Sequence, residues 1–239
     1  MLDNLEIKNV LCLDIETVPQ YATYEELPPD WKDLWTKKIL WKLKDEATPS
    51  SLYQGAGIMA EFGKIICISA GFFFLEDTVL KFKVKSFYGH DEKILLGDFC
   101  KLLEDKFSDE ASNLCAHNGR EFDFPYTARR CLVNGIKIPQ VLDNSDKKPW
   151  EVKLIDTMGL WRFGDYKNFT SLNLLAALFG IQSPKDDIDG SQIWDVYWNH
   201  KDLERIKIYC QKDVVTVGQI LLSFKGMDLI KEENIIFAN

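Results

Sequence analysis

The sequence predicts an α/β protein with a mixed, five-stranded sheet flanked by helices. Short apolar runs typical of strands begin near residues 10, 64, 78, 113 and 152, and segments of helical periodicity separate the later ones. The second and third runs are joined by the short turn at Glu76 and Asp77, which predicts a hairpin. From residue 91 onward helices and strands alternate, so the later strands are expected to run parallel to a neighbour.

The predicted strands share an apolar interior and end at polar or turn residues. Their bounds are Asn9 to Thr17, Lys64 to Phe74, Thr78 to Tyr88, Asn113 to His117 and Val152 to Asp156. Lysines alternate with apolar residues in the third strand, so we expect it to form the exposed edge of the sheet. The residues after Phe224 are predicted to be a polar tail.

A helical insertion is predicted after the first strand, over residues from about 20 to 62, within one domain spanning residues 1–239. Its main helix is expected over Asp30 to Lys44, with a second short helix around Ser51 to Ala60. Acidic residues predict a solvated loop over Ser183 to Gly190, and residues 161–169 have no clear periodicity. The remaining predicted helices cover Asp91 to Phe107, residues following Pro125 to about Val133, Ser171 to Phe179, Gln192 to Trp198 and Asp202 to Phe224.

Composition excludes some classes of function. The chain has 239 residues and a net charge of -8, which argues against a large basic surface that grips duplex phosphates. The N-terminal residues lack an apolar leader and no run is long enough to span a bilayer, so we expect a cytoplasmic location without a membrane partner. The six cysteines include no Cys-x-x-Cys pair, so they indicate reduced thiols and neither a zinc site nor a disulfide framework.

Two carboxylates follow the first apolar run. Asp14 and Glu16 are two residues apart, so in a strand their side chains point to the same face. Such a pair is tolerated if it is solvated, or if a cation lies between the two groups. Hard divalent cations such as Mg²⁺ take carboxylate oxygens as ligands. The sequence therefore favours either a metal site or a strand that simply ends in a polar loop.

Further acids occur where they could join this pair. Asp123 follows the fourth strand, and ligands of open α/β sheets gather at the carboxyl ends of strands. The alternative role of Asp123 is that of a helix N-cap. On the last helix, Tyr209 and Asp213 are four residues apart and share one face. Their alternative is a solvated surface aspartate with a tyrosine packed beside it.

Taken together, these residues resemble the three exonuclease motifs of the DEDD family. The motifs are Asp14-Ile15-Glu16, then Asn118-Gly119 with Phe122-Asp123, then Tyr209 four residues before Asp213. The tyrosine resembles the DEDDy branch, and within it the chain is most similar to predicted 3′-5′ exonucleases related to the proofreading domain of family B DNA polymerases. The resemblance extends from about Val10 to Leu222. It implies a ribonuclease-H-like fold.

The resemblance also implies roles for the acidic residues and the tyrosine. Two divalent ions, Mg²⁺ or Mn²⁺, would be held by four carboxylates, with Asp14 bridging both ions. Glu16 and Asp213 would complete the ion that carries the attacking water, Asp123 would hold the second ion, and Tyr209 would orient the water. The partner would be the 3′ end of single-stranded DNA or RNA, and protein partners are not indicated.

The same resemblance implies substrate contacts. Ile15 and Thr17 would line the pocket for the terminal nucleotide, and Asn118 would approach its sugar or phosphate. Phe122 would stack on a base or pack as a core aromatic residue. Phe169 and Ser171, at the start of the helix that contains Leu172 to Leu178, would flank the path by which the nucleic-acid strand leaves the site.

The function predicted for the chain is therefore hydrolysis of single-stranded nucleic acid from the 3′ end, with release of nucleoside 5′-monophosphates and with DNA as the favoured substrate. Two alternatives stay open from the residues. One is a 3′-5′ exoribonuclease of the same fold, because the motifs do not distinguish the sugar. The other is a non-catalytic nucleic-acid-binding module, because a fold alone does not determine function.

Overall fold

The computed structural model describes residues 2–43, 46–148, 150–182 and 188–238, and it has a mixed sheet with helices on both faces. The strands are β1 Val10–Pro19, β2 Gly63–Glu76, β3 Val79–Tyr88, β4 Asn113–Ala116, β5 Leu154–Asp156 and β6 Ile235–Ala238. The helices are α1 Pro29–Lys38, α2 Glu92–Lys106, α3 Asp123–Val133, α4 Thr157–Arg162, α5 Leu172–Leu178, α6 Ile193–Trp198 and α7 Leu203–Phe224.

The sheet has the strand order β5-β4-β1-β2-β3-β6. The first three strands form an antiparallel meander, and β4 and β5 run parallel to β1. Since α2 and α3 connect these later strands, the observed parallel pairing agrees with the alternation of elements in the sequence. The carboxyl ends of β1, β4 and β5 therefore lie at the same end of the sheet.

The prediction of five strands is wrong by one, because the C-terminal residues form β6. Ile235–Ala238 pairs in parallel with Phe82–Lys85 of β3, so β3 is covered over these residues and is not the free edge there. Strand β6 has only four residues, and half of them are exposed. Strand β6 follows α7 and is far from β3 along the chain. It is held to β3 by backbone hydrogen bonds, and in so short a strand these leave no clear pattern of apolar side chains in the sequence.

Strand β1 separates the two halves of the core. Leu11, Leu13 and Ile15 pack with α2 and α3 on one face of the sheet. Val10 and Cys12 face the other way and pack with apolar residues of α7. Because side chains alternate along a strand, Asp14 and Glu16 continue the row of Val10 and Cys12 and face α7.

The segment between β1 and β2 contains α1 and two 3-10 turns, at Leu40–Lys42 and Tyr53–Ile58. It has a small core of its own that includes Trp35 and Tyr53. The predicted second helix is thus a 3-10 turn. The predicted first helix is shorter than expected, because α1 ends at Lys38 and a separate 3-10 turn follows; its predicted last residue, Lys44, lies outside the described residues. Most of the predicted acidic loop, at residues 183–187, also lies outside them. Among the described helices, none is both long and apolar enough to span a membrane.

A buried ion pair joins α2 and α3 to the sheet and to the inserted segment. Arg130 donates to Glu92 at 2.9 Å through Nε and at 2.6 Å through Nη2. Glu92 also accepts from the backbone N–H of Ile65 on β2, and Arg130 donates to the carbonyl of Ala60. Both charged side chains are almost completely buried, at 7% and 4% exposure, so each depends on the other for compensation.

We predict that Arg130→Met lowers the free energy of unfolding by about 3–5 kcal/mol, because it leaves Glu92 buried without its counter-charge. Urea denaturation followed by circular dichroism measures this change. The matched control is Lys38→Met, which breaks the exposed pair with Glu61 and is expected to cost less than about 1 kcal/mol. Equal losses in the two variants would contradict the structural role of the buried pair.

Candidate active site

Asp14 and Glu16 lie where β1 extends beyond its parallel partner. β4 pairs with β1 only over Val10–Cys12, whereas β1 continues to Pro19. On its other side β1 remains paired with β2, and the register shifts between Glu16 and Thr17. Such irregularities occur next to active sites, where they alter the direction of a side chain. The acidic pair is therefore fixed on one side by β2 and open on the side of β4.

Asp123 occupies that open side. The backbone N–H of Ile15 donates to Asp123 Oδ1 at 3.2 Å, so a carboxylate satisfies the donor that a longer β4 would have paired. Helix α3 has Phe122 at its N-cap position and no side-chain capping bond, so Asp123 does not serve as the predicted alternative N-cap. Asp123 is 3% exposed. The contact brings the first residue of α3 against the strand that carries Asp14 and Glu16.

The turn before α3 is held in place by Asp156 at the end of β5. Asp156 accepts from the backbone N–H groups of Asn118 and Arg120, at 2.9 and 3.1 Å, and also caps α4. Asn118 has a φ of 61°, a left-handed conformation that asparagine tolerates better than most residues. A Cβ on Gly119 would lie 2.5 Å from the side chain of Ala116, so the turn requires glycine there.

Helix α7 supplies the remaining groups. Its buried stripe, at Cys210, Val214, Val217 and Leu221, has helical spacing and faces the sheet. Tyr209 and Asp213 each precede a member of this stripe, so they lie about 100° around the helix from it. The Cys210 thiol donates to the carbonyl of Asp14 at 3.4 Å, which places this turn of α7 directly against the acidic pair.

The electrostatic consequence of this convergence is that the carboxyl groups raise one another's pKa. Burial and the charges of Glu16, Asp123 and Asp213 raise the pKa of Asp14 well above its usual range. Burial and Asp213 raise the pKa of Glu16 in the same way. The pKa of Asp123 rises to about 7, chiefly through burial, with smaller increases from Asp156 and Asp213. A bound cation would relieve this repulsion.

The donor set fits a hard divalent cation. Asp14 Oδ2 is buried and has no hydrogen-bond partner in the described part of the chain, so one ligand position is already desolvated. Ligand atoms of Asp14, Glu16 and Cys210 all lie within 4.8 Å of one another. Burial raises the pKa of the Cys210 thiol, and this thiol donates to Asp14, so it is a neutral neighbour. Carboxylate oxygens are the ligands that Mg²⁺ and Mn²⁺ prefer.

Tyr209 remains protonated in this environment. Burial and the nearby charges of Asp213, Glu16 and Asp14 raise the pKa of its phenol far above the usual value. A phenol with such a pKa cannot take a proton from water at neutral pH. It can donate or accept a hydrogen bond and so orient a molecule held by the carboxylates.

The other predicted contact residues lie around the acidic cluster in different environments. Thr17 lines a cleft of about 460 Å³ between the inserted segment and Trp194 of α6. The side chain of Ile15 packs in the core on the opposite face, so only its backbone is directed towards the acids. Phe122 is half-buried and its ring lies 5.3 Å from that of Tyr126. Asn118 Oδ1 is buried without a partner among the described residues.

Sequence reasoning leaves the position of Cys210 beside Asp14 unassigned, although the buried stripe of α7 already indicates that residue 210 faces the sheet. For His117 the sequence allows a ligand but favours a strand-end histidine with satisfied hydrogen bonds. In the structure its ring lies 2.8 Å from both Thr157 Oγ1 and the carbonyl of Thr170. Burial lowers the pKa of His117, in keeping with a neutral ring that joins the ends of β4 and β5 to the start of α5.

Comparison with known proteins agrees with this arrangement. Residues 58–231 match the family model described as "Predicted 3′-5′ exonuclease related to the exonuclease domain of PolB". The match covers well over half of the chain and includes Asp123, Tyr209 and Asp213. The strand with Asp14 and Glu16 lies before it.

Two polymerases are similar to the chain. A DNA polymerase of Pyrococcus glycovorans is 25% identical over an alignment of 149 residues that covers 57% of this chain and 19% of the polymerase. The structure of the family B DNA polymerase from the hyperthermophilic archaeon Pyrobaculum calidifontis aligns with a TM-score of 0.51 and 16% identity, over 90% of this chain and 24% of that one. The chain thus corresponds to about a fifth to a quarter of the length of these polymerases.

The structural likeness establishes the fold, a ribonuclease-H-like mixed sheet flanked by helices. The family match extends over most of that fold, from the start of β2 to beyond α7. On this evidence the chain belongs to the family of predicted 3′-5′ exonucleases related to the exonuclease domain of PolB.

Proposed function

We propose that this protein is a metal-dependent 3′-5′ exonuclease that hydrolyses single-stranded nucleic acid, preferably DNA, and releases nucleoside 5′-monophosphates. The observation that carries the proposal is the approach of carboxylates from β1, α3 and α7, with the buried Asp14 Oδ2 lacking a partner among the described residues. The proposed residues are Asp14, Glu16, Asp123, Tyr209 and Asp213.

The four carboxylates would hold two divalent ions, Mg²⁺ or Mn²⁺. When bound, such ions supply an activated water and neutralise charge on the phosphate and the leaving oxygen. The contribution of the chain is to fix four acids from three elements in a buried site, with Asp123 aligned by the Ile15 N–H. Tyr209 would orient the attacking water through its neutral hydroxyl group, since its raised pKa excludes a role as base.

The substrate would enter beside the end of β1. Thr17, the residue after Glu16, lines a cleft, and the buried Oδ1 of Asn118, which has no partner among the described residues, suits a sugar or amine donor. Ile15, through its backbone, and Phe122 complete the proposed contacts. We place the enzyme in the cytoplasm, which agrees with six buried cysteines that are all free thiols.

Activity on 5′-labelled single-stranded DNA with Mg²⁺ or Mn²⁺ tests the proposal. Asp14→Ala and Asp213→Ala are each expected to lower the rate by at least about a thousandfold, because each removes a proposed metal ligand. Tyr209→Phe removes only the orienting hydroxyl group, so a loss of about 10- to 100-fold is expected.

The control for this assay is Asp228→Asn, which changes an exposed acid and should leave the rate unchanged. Shortening of the labelled strand one nucleotide at a time is the expected product pattern on a gel. Wild-type activity in the Asp14→Ala protein would rule out the assignment. Faster digestion of a matched RNA strand would favour the exoribonuclease, and binding without hydrolysis under either metal would favour the non-catalytic module.

A stability measurement tests the cluster without a substrate. In metal-free protein the pKa of Asp123 is about 7, above its usual 3.8, so folding favours the protonated form. The associated stability is fully present below about pH 4 and is lost as the pH rises to about 7. Asp123→Asn removes this charge and keeps an oxygen for the Ile15 N–H. It should therefore stabilise the protein relative to wild type by a few kcal/mol at pH 8.

Thermal melts in EDTA across pH 4 to 8 provide the measurement. The melting temperature of Asp123→Asn minus that of wild type should increase with pH and level off above about pH 7. Asp228→Asn serves as the control and should follow wild type at every pH. Parallel curves for Asp123→Asn and wild type would show that Asp123 is not held among like charges.

A further inference from the structure

The loop between α4 and α5 exposes three aromatic side chains within seven residues. Phe163, Tyr166 and Phe169 are 77%, 84% and 67% exposed. By contrast, Trp161 and Phe179 at the base of this loop pack edge to face against each other, with ring centroids 6.0 Å apart. The three exposed rings therefore contribute little to the core of the protein.

The backbone at Phe163 is strained, although its side chain is exposed and makes little contact with the core. Its φ is 46°, a left-handed conformation that costs a residue with a Cβ about 1–2 kcal/mol and is usually taken by glycine. Gly164 follows with a φ of 90°, so the chain reverses sharply after α4. The left-handed conformation has a structural role, because Phe163 is the C-cap at which α4 ends, but that role does not require an exposed aromatic ring.

Polar contacts hold the loop in one shape. Arg162 donates through Nε to the carbonyl of Asn168 at 2.9 Å, which closes the loop, and through Nη1 to Glu121 at 3.3 Å. Glu121 lies two residues before Asp123. Within the loop, Asp165 accepts from the backbone N–H of Lys167 at 3.2 Å. The loop is thus tied to the turn that carries one of the proposed catalytic acids.

The loop also lies at the same end of the sheet as the acids. Helix α4 begins at the carboxyl end of β5, and Thr170 at the far end of the loop is bonded to His117 at the end of β4. A helix of six residues advances about 9 Å. The loop thus lies within about 9 Å of the sheet end, to which it returns at Thr170, and this reach is comparable to about three stacked nucleotides at about 3.4 Å each.

The chemistry of the loop suits an unpaired strand. Flat rings stack on any base, and cations near them meet the phosphates. Arg162 directly precedes Phe163 and Lys167 directly follows Tyr166, whereas the acid Asp165 lies between these two aromatic residues. Resting on the proposed function, we infer that Phe163, Tyr166 and Phe169 form a stacking platform for the bases that precede the 3′-terminal nucleotide of a single strand.

Binding of a 5′-fluorescein-labelled DNA strand of twelve nucleotides tests this platform. Anisotropy is measured in Ca²⁺, which neutralises the acids, and a gel confirms that the strand stays intact. The triple variant Phe163→Ala, Tyr166→Ala, Phe169→Ala should weaken binding by about 10- to 100-fold or more, since each stacked base contributes several-fold. The matched control is Phe237→Ala, an exposed ring on β6 at the opposite edge of the sheet, which should bind as wild type.

A second strand tests stacking without changing the protein. It carries abasic sugars at the second, third and fourth positions from the 3′ end. Wild type should bind it more weakly by the same factor that the triple variant loses on the normal strand. The triple variant should bind both strands alike, because the two changes remove the same contact. A matching leucine triple variant keeps apolar side chains but no flat rings, and it should resemble the alanine variant.

Three binding results would overturn the platform. They are wild-type affinity in the triple variant, no binding of the strand by wild type, and equal binding of normal and abasic strands by wild type. The platform and the exonuclease proposal fail separately. Ring-dependent binding without hydrolysis in Mn²⁺ supports the platform and contradicts the exonuclease. Hydrolysis of the normal strand by the triple variant with wild-type kcat/KM contradicts the platform alone.

Discussion

The hydrogen bond from the Ile15 backbone N–H to the Asp123 carboxylate is the contact around which the candidate site is arranged. It exists because β4 pairs with only the first residues of β1, which leaves a backbone donor of β1 without a strand partner. A buried donor must be satisfied, and here a side-chain carboxylate does so. The result is that an acid from α3 reaches a strand that already carries two.

The rest of the fold keeps these like charges together. Asp156 fixes the turn before Asp123 through backbone N–H groups, and the buried Glu92–Arg130 pair holds α3 against α2 and β2. On the other face, Cys210 places α7 against Asp14. Holding four acids in a buried site costs folding free energy, as the raised pKa values of Asp14 and Glu16 indicate. Local instability of this kind is expected where a charged ligand will bind.

Much of this arrangement follows from sequence alone, for definite physical reasons. Strand alternation fixes Asp14 and Glu16 on one face, and helical spacing fixes Tyr209 and Asp213 on another. The alternation of helices with strands predicts the parallel pairing of β4 and β5. What sequence periodicity cannot reveal is pairing through the backbone. For that reason β6 is missed, and so is the contact of Asp123 with Ile15, which depends on where β4 ends. The aromatic loop after α4 is likewise aperiodic, and its exposure becomes evident only in the structure.

The central claim is that acids from three elements form one site for divalent cations. Binding of Mn²⁺, followed by electron paramagnetic resonance in wild type and in Asp14→Asn, Asp123→Asn and Asp213→Asn, tests it most directly. Each substitution should weaken Mn²⁺ binding by about tenfold or more, whereas Asp228→Asn should have no effect. Wild-type Mn²⁺ affinity in Asp123→Asn or Asp213→Asn would contradict the claim, since that acid would then lie outside the site.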